Sequence, residues 1–266
     1  MIIALIFGFI QIYFPLEKYN FERLHIFLFN LCTGGTILLH YTEAYSKISR
    51  TSLLFFAGSL VYTITAFLEL YPLTIAVSIL IVILVEKVRI KRFSFFPFAF
   101  FRRRESVSEK FHQASLLCLS IGIIMAGLVM INNEYIKLIT MEKLRLNTFF
   151  LGFSFPLSLI TFSIVFSMLK TIEANGLKII MEICFWTLTL GVIIFFIFIL
   201  FGLLTPQIFV ATALLCATIT VFFLYTKFAE IIQQKLFLAS GIAFLIFTAI
   251  TGIAYVFFEM SGKYDP

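Results

Sequence analysis

The chain has 266 residues, of which 61% are hydrophobic and 13% charged, with 36 Phe and a mean hydropathy of +1.07. A soluble domain carries about a quarter charged residues, and a globule in water needs a polar exterior, so this composition excludes a water-soluble fold and leaves lipid as the solvent. The net charge of +6 does not indicate nucleic acid, because eight of the twenty Lys and Arg fall between Lys87 and Lys110, and basic loops between apolar runs report membrane orientation first.

Residues Ile2 to Phe14 are apolar. No Lys or Arg precedes them and no small-residue cleavage site follows, so the pattern predicts a retained span, not a signal peptide. Pro15, Glu17 and Lys18 end it after about 20 Å of helix, short of the roughly 30 Å hydrocarbon core. Eight longer runs follow, over 24–45, 53–70, 72–85, 113–132, 147–169, 179–203, 206–228 and 236–258. They lack the alternation of barrel strands, and helices alone satisfy their own backbone in lipid. Pro72 and Pro206 stand where helices begin, and Pro156 is expected to kink the sixth span.

With the N-terminus inside, inner segments hold Lys47, Arg50, the eight cations of the 86–111 loop, Lys170, Lys178, Lys227 and Lys235. Outer segments hold Lys18, Arg23, Lys137, Lys143, Arg145 and Lys263. The excess predicts N-terminus inside and C-terminus outside, in the inner membrane of a prokaryote. Short matches suggest an internal repeat. Arg23-Leu24-His25-Ile26-Phe27 aligns with Arg145-Leu146-Asn147-Thr148-Phe149, and the turn ending at Pro72 with the turn ending at Pro206. Ser120-Ile121-Gly122 aligns with Ser240-Gly241-Ile242. The expected fold is all-α, a polytopic transmembrane bundle with a leading helix (1–16) and two parallel four-helix units (23–133 and 145–260).

The extensive loop is expected over Glu86–Phe111. Its Phe95, Phe96 and Phe98, followed by Arg102, Arg103 and Arg104, suit the membrane interface, with rings at the acyl boundary and guanidinium groups at headgroups. The bland reading is a topology anchor and the sharper one a headgroup or partner docking site.

Candidate ligands are few. The chain has three histidines, His25, His40 and His112. His40 and His112 are expected at the same inner depth on different helices, where two imidazoles could hold a haem b; His25 lies at the outer end of its span, with Met130 as its best partner. The ordinary alternative is interfacial histidines that contact headgroups or backbone carbonyls. Glu43, Glu86, Glu182 and Glu230 lie toward inner ends, placed either to snorkel or to pair with inner-loop cations. Asn30, Thr33, Gly34, Gly35 and Thr36 are the polar group at mid-depth. The paired glycines allow close approach of a helix or a flat cofactor, and Gly122/Gly127 and Gly241/Ala249/Gly252 read as further packing faces. Cys32, Cys118, Cys184 and Cys216 read as small buried hydrophobes. No Walker, HExxH, GxSxG or Cys/His metal spacing is present.

Arg23-Leu24-His25, then Phe27, Leu28 and Phe29 and a Thr-Gly-Gly turn of helix, resembles the second span of proteins related to haem–copper oxidase subunit I. That resemblance covers some 25 residues and the four-helix repeat plan. It implies a low-spin haem ligand at His25. Asn147 stands at the repeat-equivalent position and no later span carries His, so a copper centre is ruled out. The two-bundle plan also resembles quinone-interacting subunits of the polysulfide reductase type, by span count alone. Three classes follow in order of preference: a non-catalytic membrane subunit or scaffold working with lipid and other membrane subunits, a haem b- or quinone-linked redox subunit, and a transporter or lipid-handling protein.

The orientation can be checked in intact cells with a membrane-impermeant thiol reagent. Ser261→Cys is expected to react and Ser106→Cys to be protected; labelling of Ser106→Cys from outside reverses the assignment.

Overall fold

The computed structural model describes residues 1–13, 20–102, 104–141, 144, 153–170, 175–230 and 234–261. Among these residues the regular structure is helical, save an isolated bridge between Leu169 and Ala229. The helices are α1 (Ile2–Ile10), α2 (Phe21–Glu43), α3 (Arg50–Phe67), α4 (Tyr71–Arg92), α5 (Val107–Ile131), α6 (Phe155–Ser167), α7 (Asn175–Leu200), α8 (Leu204–Phe228) and α9 (Gln234–Met260). Six are long and apolar enough to cross a membrane: α2, α3, α5 with its extension to Ile136, α7 from Gly176, α8 and α9.

Several boundaries differ from expectation, each for a physical reason. α1 is nine residues, about 14 Å of rise, roughly half the hydrocarbon core. α4 does not stop at Val85 but runs to Arg92, because Glu86 and Arg89 pair along it at i, i+3. The loop therefore shortens to Phe93–Ser106 and includes a 3₁₀ turn at Phe98–Phe101. Pro156 lies in the first turn of α6, where its missing N–H breaks no bond, so it starts the described helix instead of kinking it. The Arg145–Phe149 segment of the proposed repeat lies outside the described residues, as do Pro15, Glu17 and Lys18.

Local chemistry sets the helix ends. Asn20 caps α2 by accepting from the Arg23 N–H at 2.8 Å, and Ser49 caps α3 by accepting from the Ser52 N–H at 2.9 Å. α2 ends on Ala44 in the left-handed conformation (φ 53°). Within α2, Phe27–Gly35 is π-helical, and the Thr33 hydroxyl donates to the Leu28 carbonyl at 2.9 Å. Such widened turns recur at functional sites. Here the widened turn holds the polar group read from the sequence.

By contacts the chain divides into two compact units, Met1–Arg102 with His112–Ile160, and Arg103–Phe111 with Thr161–Pro266. The division falls inside α6. The first unit has a core of Phe27, Leu31, Phe55, Tyr62, Ile81, Leu119 and Phe153, among others, with Phe27 5.3 Å from both Tyr62 and Phe153 by ring centroid. In the second unit Phe111 meets Phe162, Phe166 and Phe185 at 5.5, 5.4 and 5.1 Å. The ends of α6 and α8 there are tied by Lys170 N–H to Phe228 O and Glu230 N–H to Met168 O, both 3.2 Å, which satisfies terminal carbonyls.

The turn in each unit is built alike. After α3, Leu68, Glu69 and Leu70 donate to Ile64, Ala66 and Thr65 at 2.9, 3.4 and 2.9 Å. After α7, Phe201, Gly202 and Leu203 donate to Ile197, Ile199 and Phe198 at 3.1, 3.1 and 3.0 Å. Glu69 (φ 59°) and Gly202 (φ 66°) hold the left-handed position. The offset that carries Leu70 onto Leu203 also carries Gly58 and its neighbour Ile81 onto Gly191 and its neighbour Leu214. It matches Phe55 with Leu188, Thr74 with Gln207, Ser78 with Ala211, Val85 with Thr218 and Val88 with Val221, all buried. This register differs by one residue from an alignment on Pro72 and Pro206, because Pro72 sits one place nearer its turn.

The adjacent glycines of α2 provide a packing test. A Cβ on Gly34 would lie 2.5 Å from Leu157 Cδ1, and one on Gly35 2.8 Å from the Phe55 ring. Leu157 is half-buried and can turn aside, whereas Phe55 is fully enclosed. Gly35→Ala is expected to cost about 1–3 kcal/mol, and more than Gly34→Ala, by thermal unfolding in detergent. The reverse order would show that the close approach at Gly35 is not structural.

Candidate functional site

The polar chemistry of the first unit collects where α4 gives way to the loop. Arg89, 3% exposed, lays its Nε against both Glu86 oxygens at 3.0 and 2.9 Å. Its terminal nitrogens donate to the Ser94 and Phe95 carbonyls at 3.1 and 3.0 Å. Glu86 also accepts from the Ser120 hydroxyl at 2.6 Å. One ion pair therefore ties α4, α5 and the start of the loop. The i, i+3 spacing of Glu86 and Arg89 could have signalled the pair; Ser120 and the two carbonyls carried no sequence signal. In the second unit the Lys110 ammonium donates to Glu182 at 2.6 and 2.8 Å, and the Ser108 hydroxyl donates to the Ser163 carbonyl at 2.8 Å. Of the two readings for these glutamates, Glu86 and Glu182 follow the pairing one.

The histidines occupy three different settings. His112 is buried, with Nε2 at 2.8 Å from the Thr42 hydroxyl and its ring 5.3 Å from Tyr41 and 5.2 Å from Phe93. In a bis-histidine haem site that nitrogen would face the iron; here it meets the Thr42 hydroxyl. His40, on the same turn of α2 as Tyr41 and Thr42, has a buried Nδ1 without a hydrogen-bond partner among the described residues. A ligating imidazole normally gives that nitrogen to an acceptor. His25 is half-buried and its Nδ1 lies 2.7 Å from the Ala4 carbonyl, close against Gly8. Met130 belongs to the apolar core of the first unit.

Among the described residues no group of three or more His, Cys, Asp or Glu is placed to hold a metal ion. Cys32 lies 3.3 Å from the Thr63 hydroxyl, and Cys32 and Cys184 are buried. Cys216 is exposed and departs from the buried reading, since α8 turns that face outward.

On the loop, Phe95, Phe96 and Phe98 are exposed and touch, with ring centroids 4.9 and 5.7 Å apart along the series. Arg102 and Arg104 are also exposed, and Arg103 lies outside the described residues. Gly127 packs 3.2 Å from Ser78 Oγ by its notional Cβ, whereas Gly241 and Gly252 meet nothing within 4 Å. Compared with known protein families, curated proteins and solved structures, the chain matches none.

The Lys110–Glu182 pair predicts an asymmetric response. The Lys110 side chain is 2% exposed and the Glu182 side chain 28%. Glu182→Gln strands a buried ammonium and is expected to cost about 3 kcal/mol or more; Lys110→Met leaves a carboxylate able to reach polar surroundings and is expected to cost about 1 kcal/mol or less. Thermal unfolding of both variants in detergent reads the difference, and equal losses would remove the charge argument.

Proposed function

We propose that the chain is a multi-pass membrane subunit or scaffold, formed by a leading helix and two copies of a four-helix unit, that works by packing against another membrane subunit. The observation that carries this reading is the open face of α9. Among the described residues, a Cβ on Gly241 or Gly252, which the sequence marks as a packing face, would meet nothing within 4 Å. Ile242 and Val256 are the buried residues of the whole helix. Small residues bring helix backbones together in lipid, where van der Waals contact replaces the hydrophobic drive. A lipid-facing helix has no use for glycine, which costs about 1 kcal/mol in a helix relative to Ala.

The matched turns at Leu70 and Leu203, and the glycine contacts Gly58–Ile81 and Gly191–Leu214, favour the two-copy plan. Purified in mild detergent, the 30.5 kDa chain is expected to run as a stoichiometric complex with a second membrane polypeptide. Gly241→Phe with Gly252→Phe is expected to release it with unchanged thermal stability. A monomeric wild-type protein, or a complex indifferent to both substitutions, would sink the reading.

A further inference from the structure

The first unit has a cleft of about 380 Å³ at the ends of three helices, within the range of small-ligand sites, about 300–1,000 Å³. α2 contributes its last turn through Tyr45, with the Glu43 carboxylate; α3 contributes its first residues, Ser49, Arg50 and Thr51; α4 contributes Lys87, Lys91 and Arg92. Lys87 and Lys91 are one helical turn apart and so share a face. Arg50, Lys87 and Lys91 thus line a concave site beside one carboxylate, one oxygen of which is taken up by serines. Glu43 Oε2 accepts from the hydroxyls of Ser49 and, at 2.8 Å, Ser52. Lys91 lies 3.3 Å from the Tyr45 hydroxyl, a neutral partner. Among the described residues neither Arg50 nor Lys87 nor Lys91 meets a carboxylate.

The arrangement contrasts with Arg89 and Lys110, whose charges are closed off by glutamates. The C-terminus of α4 offers its last-turn cations about half a negative charge, less than a single cation carries. Arg50 and Thr51 open an 18-residue helix, whose N-terminal amides add positive potential on the same side. We propose that this cleft binds a phosphate-bearing anion, through Lys87, Lys91 and Arg50 and the first turn of α3. Two sources share that chemistry, the headgroup of an anionic phospholipid and a free phosphate.

The test uses the full chain in neutral detergent. Native mass spectrometry and thermal unfolding are followed on adding phosphatidylglycerol, phosphatidylcholine or inorganic phosphate. One phosphatidylglycerol per chain is expected, retained over phosphatidylcholine. In Lys87→Gln with Lys91→Gln its apparent Kd is expected to rise at least about tenfold, from two lost charge-assisted contacts. Lys47→Gln with Arg102→Gln removes the same charge outside the cleft and is expected to leave Kd unchanged. Glu43→Gln is expected to tighten binding several-fold, a gain that a misfolded variant cannot mimic.

Stabilisation by inorganic phosphate alone, lost in the Lys87/Lys91 variant, would assign the site to a soluble anion. Equal retention of both lipids with no phosphate effect, equal losses in the cleft and control variants, or weaker binding in Glu43→Gln would overturn the proposal. None of these readouts depends on a partner at α9.

Discussion

In hydrocarbon, apolar side chains gain nothing by leaving one solvent for another of the same kind, so helices hold together only where backbones approach closely or polar groups find partners. This chain shows both devices in small numbers. Gly34 and Gly35 let α2 approach the Leu157 side chain and the Phe55 ring, and Gly58 and Gly191 do the same for Ile81 and Leu214. The hydroxyls of Thr36, Thr42, Thr63 and Thr74 turn back onto their own helix carbonyls, so that they cost little to bury. Elsewhere large apolar side chains face outward, from Phe209 to Phe244 and Phe257; they would be a liability in water and are unremarkable in lipid.

The same constraint explains why ion pairs sit at helix ends. An unpaired charge in a low-dielectric interior costs several kcal/mol. Arg89 and Lys110 are nearly inaccessible, and each is held by a glutamate that keeps partial exposure. Satisfying Arg89 also settles the loop, because the guanidinium takes the carbonyls of Ser94 and Phe95. The exposed rings of Phe95, Phe96 and Phe98 follow immediately from that anchor.

Much of the helical plan was legible from hydropathy, since runs of that length cannot be anything else in lipid. What misled was charge. Glu86 and Arg89 read as the end of a helix when taken singly and as its continuation when taken as a pair. Pro156 read as a kink because the apolar run continues across it; hydropathy is blind to the turn at Phe153 and Ser154 that starts α6. The turns ending at Pro72 and Pro206 were visible at their prolines, but their hydrogen bonds match one residue out of that alignment, because hydrogen bonds and not the proline ring define a turn. Histidine identity suggested a ligand pair, and the sequence did not show that a hydroxyl and two aromatic rings neighbour His112. Such neighbours come from α2 and the loop, and no pattern along one helix announces them.

Basic residues at helix ends have an ordinary explanation in membrane topology, which asks only for a number of Lys and Arg on one side. That explanation is indifferent to where each cation points and to what surrounds it. It accounts equally well for Arg102, exposed on a loop, and for Lys87, on the wall of a concavity. It does not account for Glu43, which lines the same concavity as Arg50, Lys87, Lys91 and Arg92 yet spends a carboxylate oxygen on two serine hydroxyls. An ion pair with any of those cations would be the cheaper use of both charges near a membrane surface. The fold closes off Arg89 and Lys110 with glutamates, whereas among the described residues Arg50, Lys87 and Lys91 meet no carboxylate, on helix ends that converge. A counter-charge from outside the chain is the missing member of that set.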